Sequence, residues 1–141
     1  MSLKYISYEY FKKRMADLCL RSGITDFPEK RQDKQIILKS IANGFDPEKV
    51  YSEVQVNEFI KSWLIMSSFS GWDFMLLRRN LVDEGFLSRN KDGSGYWLSN
   101  KEPAGIEFDS AIAQFKMDQF LFEEKQLIAQ RKAAYSKLSQ S

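Results

Sequence analysis

Trp72-Asp73-Phe74-Met75-Leu76-Leu77-Arg78-Arg79-Asn80-Leu81-Val82-Asp83-Glu84-Gly85-Phe86-Leu87-Ser88-Arg89-Asn90-Lys91-Asp92-Gly93-Ser94-Gly95-Tyr96-Trp97-Leu98 reads as a helix, a stop and a hairpin in direct succession. At about 100° per residue, Phe74, Leu77, Leu81 and Gly85 share one side, so a helix from Trp72 to Glu84 turns that side to a core. Gly85 ends it, because glycine enters the left-handed region at little cost. Phe86 to Arg89 and Tyr96 to Leu98 are strand-like, and the six residues between them are turn formers that include Asp92-Gly93.

Working back toward the N-terminus, Ser52 is an N-cap and Gln55, three residues on, completes a capping box. The helix that follows buries a stripe of Val56, Phe59, Ile60, Trp63 and Leu64, and Ser67 to Gly71 interrupts it. Val50-Tyr51 is a short extended piece after the Asp46-Pro47 turn. A helix from about Glu29 to Asn43 precedes it, with Ile37, Leu38 and Ile41 inward and Asn43-Gly44 as its stop. The apolar spacing of Tyr8, Phe11, Met15, Leu18 and Cys19 predicts a first helix from about Tyr5 to Arg21, ended by Ser22-Gly23. In the tail, Glu107 to Leu138 reads as one long helix or two with a bend.

From residue 29 the order is helix, short strand, helix, helix and two-stranded wing, the arrangement of a winged helix-turn-helix. The expected fold is mainly α with a small β-hairpin. It divides into an N-terminal helix and linker (1–28), a winged-helix core (29–100) and a C-terminal helical extension (101–141).

Composition narrows the chemistry. The 141 residues are 43% hydrophobic and 14% aromatic, enough for a packed core. Histidine is absent and Cys19 is the single cysteine, which excludes histidine triads, intramolecular disulfides and cysteine zinc clusters. Glu53/Glu58 and Glu123/Glu124 are helix-surface acids with no matching nucleophile or glycine-rich phosphate loop, so no enzyme activity and no cofactor are expected. There is no apolar run of the roughly 18 residues that span a bilayer. With a charged amphipathic start and one reduced cysteine, a cytoplasmic protein is expected.

Particular residues carry the resemblance to a known family. They are Phe45-Asp46-Pro47-Glu48-Lys49-Val50-Tyr51-Ser52-Glu53, Val56-Asn57-Glu58, Asp73-Phe74 and Leu77-Arg78-Arg79-Asn80-Leu81-Val82-Asp83. Gly85-Phe86-Leu87-Ser88-Arg89 and Asp92-Gly93-Ser94-Gly95-Tyr96-Trp97 extend the pattern. Over about residues 29–98 the chain resembles the bacterial domain-of-unknown-function family 2087. The resemblance implies a winged-helix-like module associated with transcriptional regulators. It departs from the family before Asp73, where Ser68-Phe69-Ser70-Gly71-Trp72 stands in place of a histidine or acidic run. A winged core between terminal helices is also similar in layout to multiple-antibiotic-resistance-type regulators, which implies a homodimer through those helices.

The leading expectation is therefore a DNA-binding, transcription-related protein that contacts double-stranded DNA through Arg78, Arg79, Arg89 and Lys91. Ion pairing of Arg78 or Arg79 with Asp73, Asp83 or Glu84 one turn away is the structural alternative. Opposite the core side, the front of the fourth helix carries Trp72, Met75 and Leu76, which suit a protein partner better than a base edge. A protein-interaction module, or a small-ligand sensor with an apolar gap, is the rival reading. Charge is uneven: the surplus of Lys and Arg lies in residues 1–34, including Lys12-Lys13-Arg14, which is expected on an exposed face. Cys19 is read as a buried filler and Tyr96-Trp97 as the anchor of the wing.

Overall fold

In the computed structural model the described residues are 4–21, 27–67, 69, 71–100, 103 and 105–139. Strand β1 (Lys4–Ile6) leads into α1 (Tyr8–Ala16), whose last turn widens to a π-helical turn at Asp17–Arg21. Then come α2 (Arg31–Ala42), α3 (Glu53–Ser67), α4 (Phe74–Asp83), and the antiparallel strands β2 (Leu87–Arg89) and β3 (Tyr96–Leu98). Strand β4 (Ile106–Phe108), a 3-10 turn (Ser110–Gln114) and α5 (Met117–Ser139) complete the order. No helix among the described residues is long and apolar enough to cross a membrane.

The protein is mainly α with a small antiparallel hairpin, and in the middle of the chain three helices precede that hairpin. Tyr51 adds a rung to the hairpin: its N–H donates to the Tyr96 carbonyl at 2.7 Å and its carbonyl accepts from the Tyr96 N–H at 2.8 Å. The capping box of α3 forms as read, with the Gln55 N–H on Ser52 Oγ at 3.1 Å and the Ser52 N–H on Gln55 Oε1 at 2.8 Å. Val56, Ile60, Trp63 and Leu64 are buried on its inner face, and Phe59 lies half-buried against Phe45 with ring centroids 4.4 Å apart. A β-carbon on Gly44 would sit 2.0 Å from the tip of the Phe59 ring, so any larger residue there must push that ring aside where α2 ends against α3.

Three element boundaries differ from the sequence reading. The first helix does not begin at Tyr5: Lys4 to Ile6 form a strand that pairs in parallel with Ile106 to Phe108, and Ser7 then caps α1 by accepting from the Tyr10 N–H. The partner strand is remote in sequence, so local apolar spacing carries no sign of it. The expected Ser22-Gly23 stop lies outside the described residues. In the tail, Glu107 to Gln114 is not α-helical, because Ile106 and Phe108 alternate inward around Glu107 in β4 and the Asp109 carboxylate caps the 3-10 turn from the Ala111 N–H. The helix that remains, α5, is single. Finally α4 starts at Phe74 rather than Trp72, with the Asp73 carboxylate accepting from the Met75 N–H at 2.9 Å as the N-cap.

One buried cluster runs through all of this. Ile6, Phe11 and Met15 from the N-terminal segment, Ile36, Ile37, Ile60, Leu77, Leu81 and Tyr96 from the middle, and Phe108, Ile112, Phe115 and Phe120 from the C-terminal segment share it. Phe11 meets Phe115 edge-on at 5.0 Å and Phe108 at 6.3 Å. The flanking segments thus share one core with the middle of the chain. An ion pair reinforces the α1–α2 contact: the Arg14 guanidinium grips the Asp33 carboxylate with both Nη2 contacts at 3.0 Å. Arg14 is accordingly half-buried and tied to its own chain, unlike the exposed residue read from the Lys12-Lys13-Arg14 run.

Candidate functional site

Helix α4 is pinned by Leu77 and Leu81, both without solvent exposure, against α2 and α3. Complete burial of two leucines contributes about 1.5–3 kcal/mol each, so the helix is fixed and its far side is fixed with it. Gly85, at φ 86°, ends the helix, and Phe86 turns the chain into β2. The hairpin then rises beside α4 in the register Leu87 with Leu98, Ser88 with Trp97 and Arg89 with Tyr96.

The loop at the hairpin tip is built from its own polar side chains. Asn90 Oδ1 accepts from the Gly95 N–H at 2.9 Å, Asn90 Nδ2 donates to Ser94 Oγ, and Asp92 Oδ1 accepts from the Ser94 N–H at 3.0 Å. These Ser94 bonds, with the Arg89 charge nearby, hold the Asp92 carboxyl below the usual carboxylate range. Gly93 takes φ 74°, and the Arg89 guanidinium lies beside it.

Between α4 and the hairpin lies an open groove of about 420 Å³, lined by Met75, Arg78, Arg79, Val82, Asp83, Arg89 and Tyr96. Three of the four arginine and lysine positions singled out in the sequence therefore converge here, although ten residues of chain separate Arg79 from Arg89. Their states differ. Arg78 is held: its guanidinium donates to Glu53 Oε1 at 2.9 Å and to Asn57 Oδ1, so it bolts α4 to α3. The partner is on a different helix, not one turn away. Arg79 is exposed and makes no ion pair or hydrogen bond among the described residues. Arg89 is exposed at the end of β2, and Lys91 is exposed on the loop tip outside the groove lining. With Arg78 neutralised by Glu53, the groove presents Arg79 and Arg89 against the single carboxylate of Asp83.

The three apolar positions separate as well. Trp72 does not sit on the outward face of α4; it precedes the helix, stacks on Phe69 at 4.1 Å, meets the Phe27 ring edge-on at 5.4 Å, and is 7% exposed. Met75 and Leu76 are 50% and 40% exposed. Met75 lines the groove, whereas Leu76 faces a second cleft of about 400 Å³ on the other flank of α4, beside Phe27, Pro28 and Trp72. Tyr96 is buried and Trp97 half-buried, which fixes the wing to the body.

Sequence reasoning gave Glu53 and Asn57 no part in the site. Glu53 stands 25 positions from Arg78, and only the packing of α3 on α4 brings them together. Asp83, expected as an ion partner of Arg78 or Arg79, lines the groove instead and makes no ion pair among the described residues. Elsewhere, Cys19 is half-buried at the edge of the core rather than fully buried, and desolvation pushes its thiol up to about 12, so it stays protonated at neutral pH. Among the described residues, no three His, Cys, Asp or Glu side chains group as metal ligands.

Neither the curated proteins nor the solved structures compared with this chain gave a match. A family described as an uncharacterized protein conserved in bacteria (DUF2087) matches residues 23–98. That span takes in α2, Tyr51, α3, α4 and both strands of the hairpin, and it ends where β3 ends. Covering the whole groove and more than half of the chain, the match makes the protein a member of the DUF2087 family.

Proposed function

We propose that the protein binds double-stranded DNA through α4 and the hairpin, in a role in transcriptional control. The observation that supports this reading is the open groove in which Arg79 and Arg89, both exposed, face the same space from a fixed helix and a fixed wing. On this reading Arg79 reaches the phosphate or a base edge from the helix, while Arg89 and Lys91 neutralise backbone phosphates along the wing. Arg78 acts as a positioning residue, since Glu53 and Asn57 already engage its guanidinium.

The test is fluorescence anisotropy of labelled genomic duplex fragments over a salt series. Each phosphate contact contributes about 0.9 to the slope of log K against log salt, so Arg79→Glu with Arg89→Glu lowers the slope by about 2 and weakens binding. Absence of salt-dependent binding by the unmodified protein ends the reading. A second reading, docking of a protein partner, is favoured by Met75 and Leu76, which form an apolar lip between two clefts on α4. It predicts that replacing Met75 and Leu76 by Ser abolishes capture of a partner while Arg79→Glu does not.

A further inference from the structure

Beyond Leu121, α5 leaves the body: every residue from Phe122 to Leu138 is exposed or half-buried, and Tyr135 is 75% exposed. Helices in proteins take most of their stability from a packed apolar face, which this stretch lacks within its own chain. At about 100° per residue, Leu127, Ile128, Ala134 and Tyr135 fall on one stripe, which continues the side that Phe120 and Leu121 bury in the core. Two opposite charges, Glu124 and Arg131, stand inside this stripe two turns apart. The residues three and four positions away from each of them are all apolar, so neither has an ion partner within its own helix. Neither pairs elsewhere among the described residues.

We infer that α5 is the surface on which two copies of this chain pair, antiparallel, about a two-fold axis between Leu127 and Ile128. In that register Leu127 faces Ile128, and Glu124 of each copy faces Arg131 of the other, so the two lone charges satisfy each other twice over. Farther out, Ala134 and Tyr135 reach the level of Leu121 and Phe120 of the other copy, where the tip of the helix runs onto its body. A parallel arrangement places Glu124 on Glu124 and Arg131 on Arg131, so charge at the seam selects the antiparallel one. The first helix, also expected at a dimer contact, offers no such stripe, because Phe11 and Met15 are fully buried in their own chain. This pairing goes beyond the DNA reading and does not depend on it.

Sedimentation equilibrium of the full chain over a concentration series tests the inference. The unmodified protein dimerises. Glu124→Arg alone and Arg131→Glu alone, each of which leaves only like charges facing, raise the dimer dissociation constant at least about tenfold. The double exchange, and a mixture of the two single variants, restore association to within about threefold of the unmodified protein. Leu127→Asp gives a monomer that melts at the temperature of the unmodified protein diluted below its dissociation constant, which separates loss of pairing from loss of fold. A monomeric unmodified protein, single variants that associate as before, or a double exchange that fails to recover each overturns the inference.

Discussion

Arg78 and Arg79 are adjacent in sequence, and replacing each by Ala separates a structural cation from a free one. The Arg78 side chain is 19% exposed and Glu53 is 50% exposed, so their ion pair is a partly screened one worth about 0.5–1 kcal/mol. The charged hydrogen bond to Asn57 adds about 1–1.5 kcal/mol. Arg78→Ala thus costs about 1.5–2.5 kcal/mol, which for a chain of this size lowers Tm by about 4–10 °C. Arg79→Ala removes an exposed group that bonds nothing among the described residues, and its effect stays within about 0.5 kcal/mol. Urea and thermal melts followed by far-UV circular dichroism measure both. A double-mutant cycle of Arg78→Ala with Glu53→Ala isolates the ion pair at about 0.5–1 kcal/mol. If Arg79→Ala destabilises as much as Arg78→Ala, or the cycle gives no coupling, the assignment of Arg78 as the bolt between α3 and α4 is wrong.

The Arg14–Asp33 pair joins α1 to α2 with Asp33 at 13% exposure, so Arg14→Ala strands a nearly buried carboxylate and costs about 2–4 kcal/mol in a urea melt. A loss below about 1 kcal/mol contradicts that account. Cys19 resists alkylation at neutral to mildly alkaline pH until the chain is unfolded. Because its folded pKa of about 12 lies above the unfolded value, stability falls as pH rises from about 9 toward 12, and Cys19→Ser flattens that fall. The lowered pKa of Asp92 has the opposite sign. Its contribution is present above the ordinary carboxylate range and is lost as pH falls through the folded pKa, so the Ser94 amide resonance shifts in acid in the unmodified protein and not in Asp92→Asn.

What could be read from the sequence was what is encoded locally. Ser52 and Gln55 announce the start of α3, Gly85 ends α4, and Asp92-Gly93 marks the hairpin, each through a bond or dihedral within a few residues. Trp72 shows the limit of periodicity. Its angle is right for an outward face, but the N-cap at Asp73 places it before the helix, where Phe69 covers it. β1 and β4 were illegible because three residues give no period, and each is a strand only because the other exists. The groove followed the same division. Arg79 and Arg89 were visible as cations near α4 and the wing, while the neutralisation of Arg78 depends on a helix packing that no local pattern shows.

The β1–β4 ladder also bears on how the molecule is made. Lys4 pairs with Ile106 and Ile6 with Phe108, so closing this ladder joins chain about a hundred residues apart, an entropic cost of about 4 kcal/mol. Contacts of such separation form late. On the ribosome, α1 emerges well before Phe108 and Phe115, so the burial of Phe11 is completed only after they have followed it out. The β1 strand therefore waits for about a hundred residues of chain before its partner strand exists, and it pairs late.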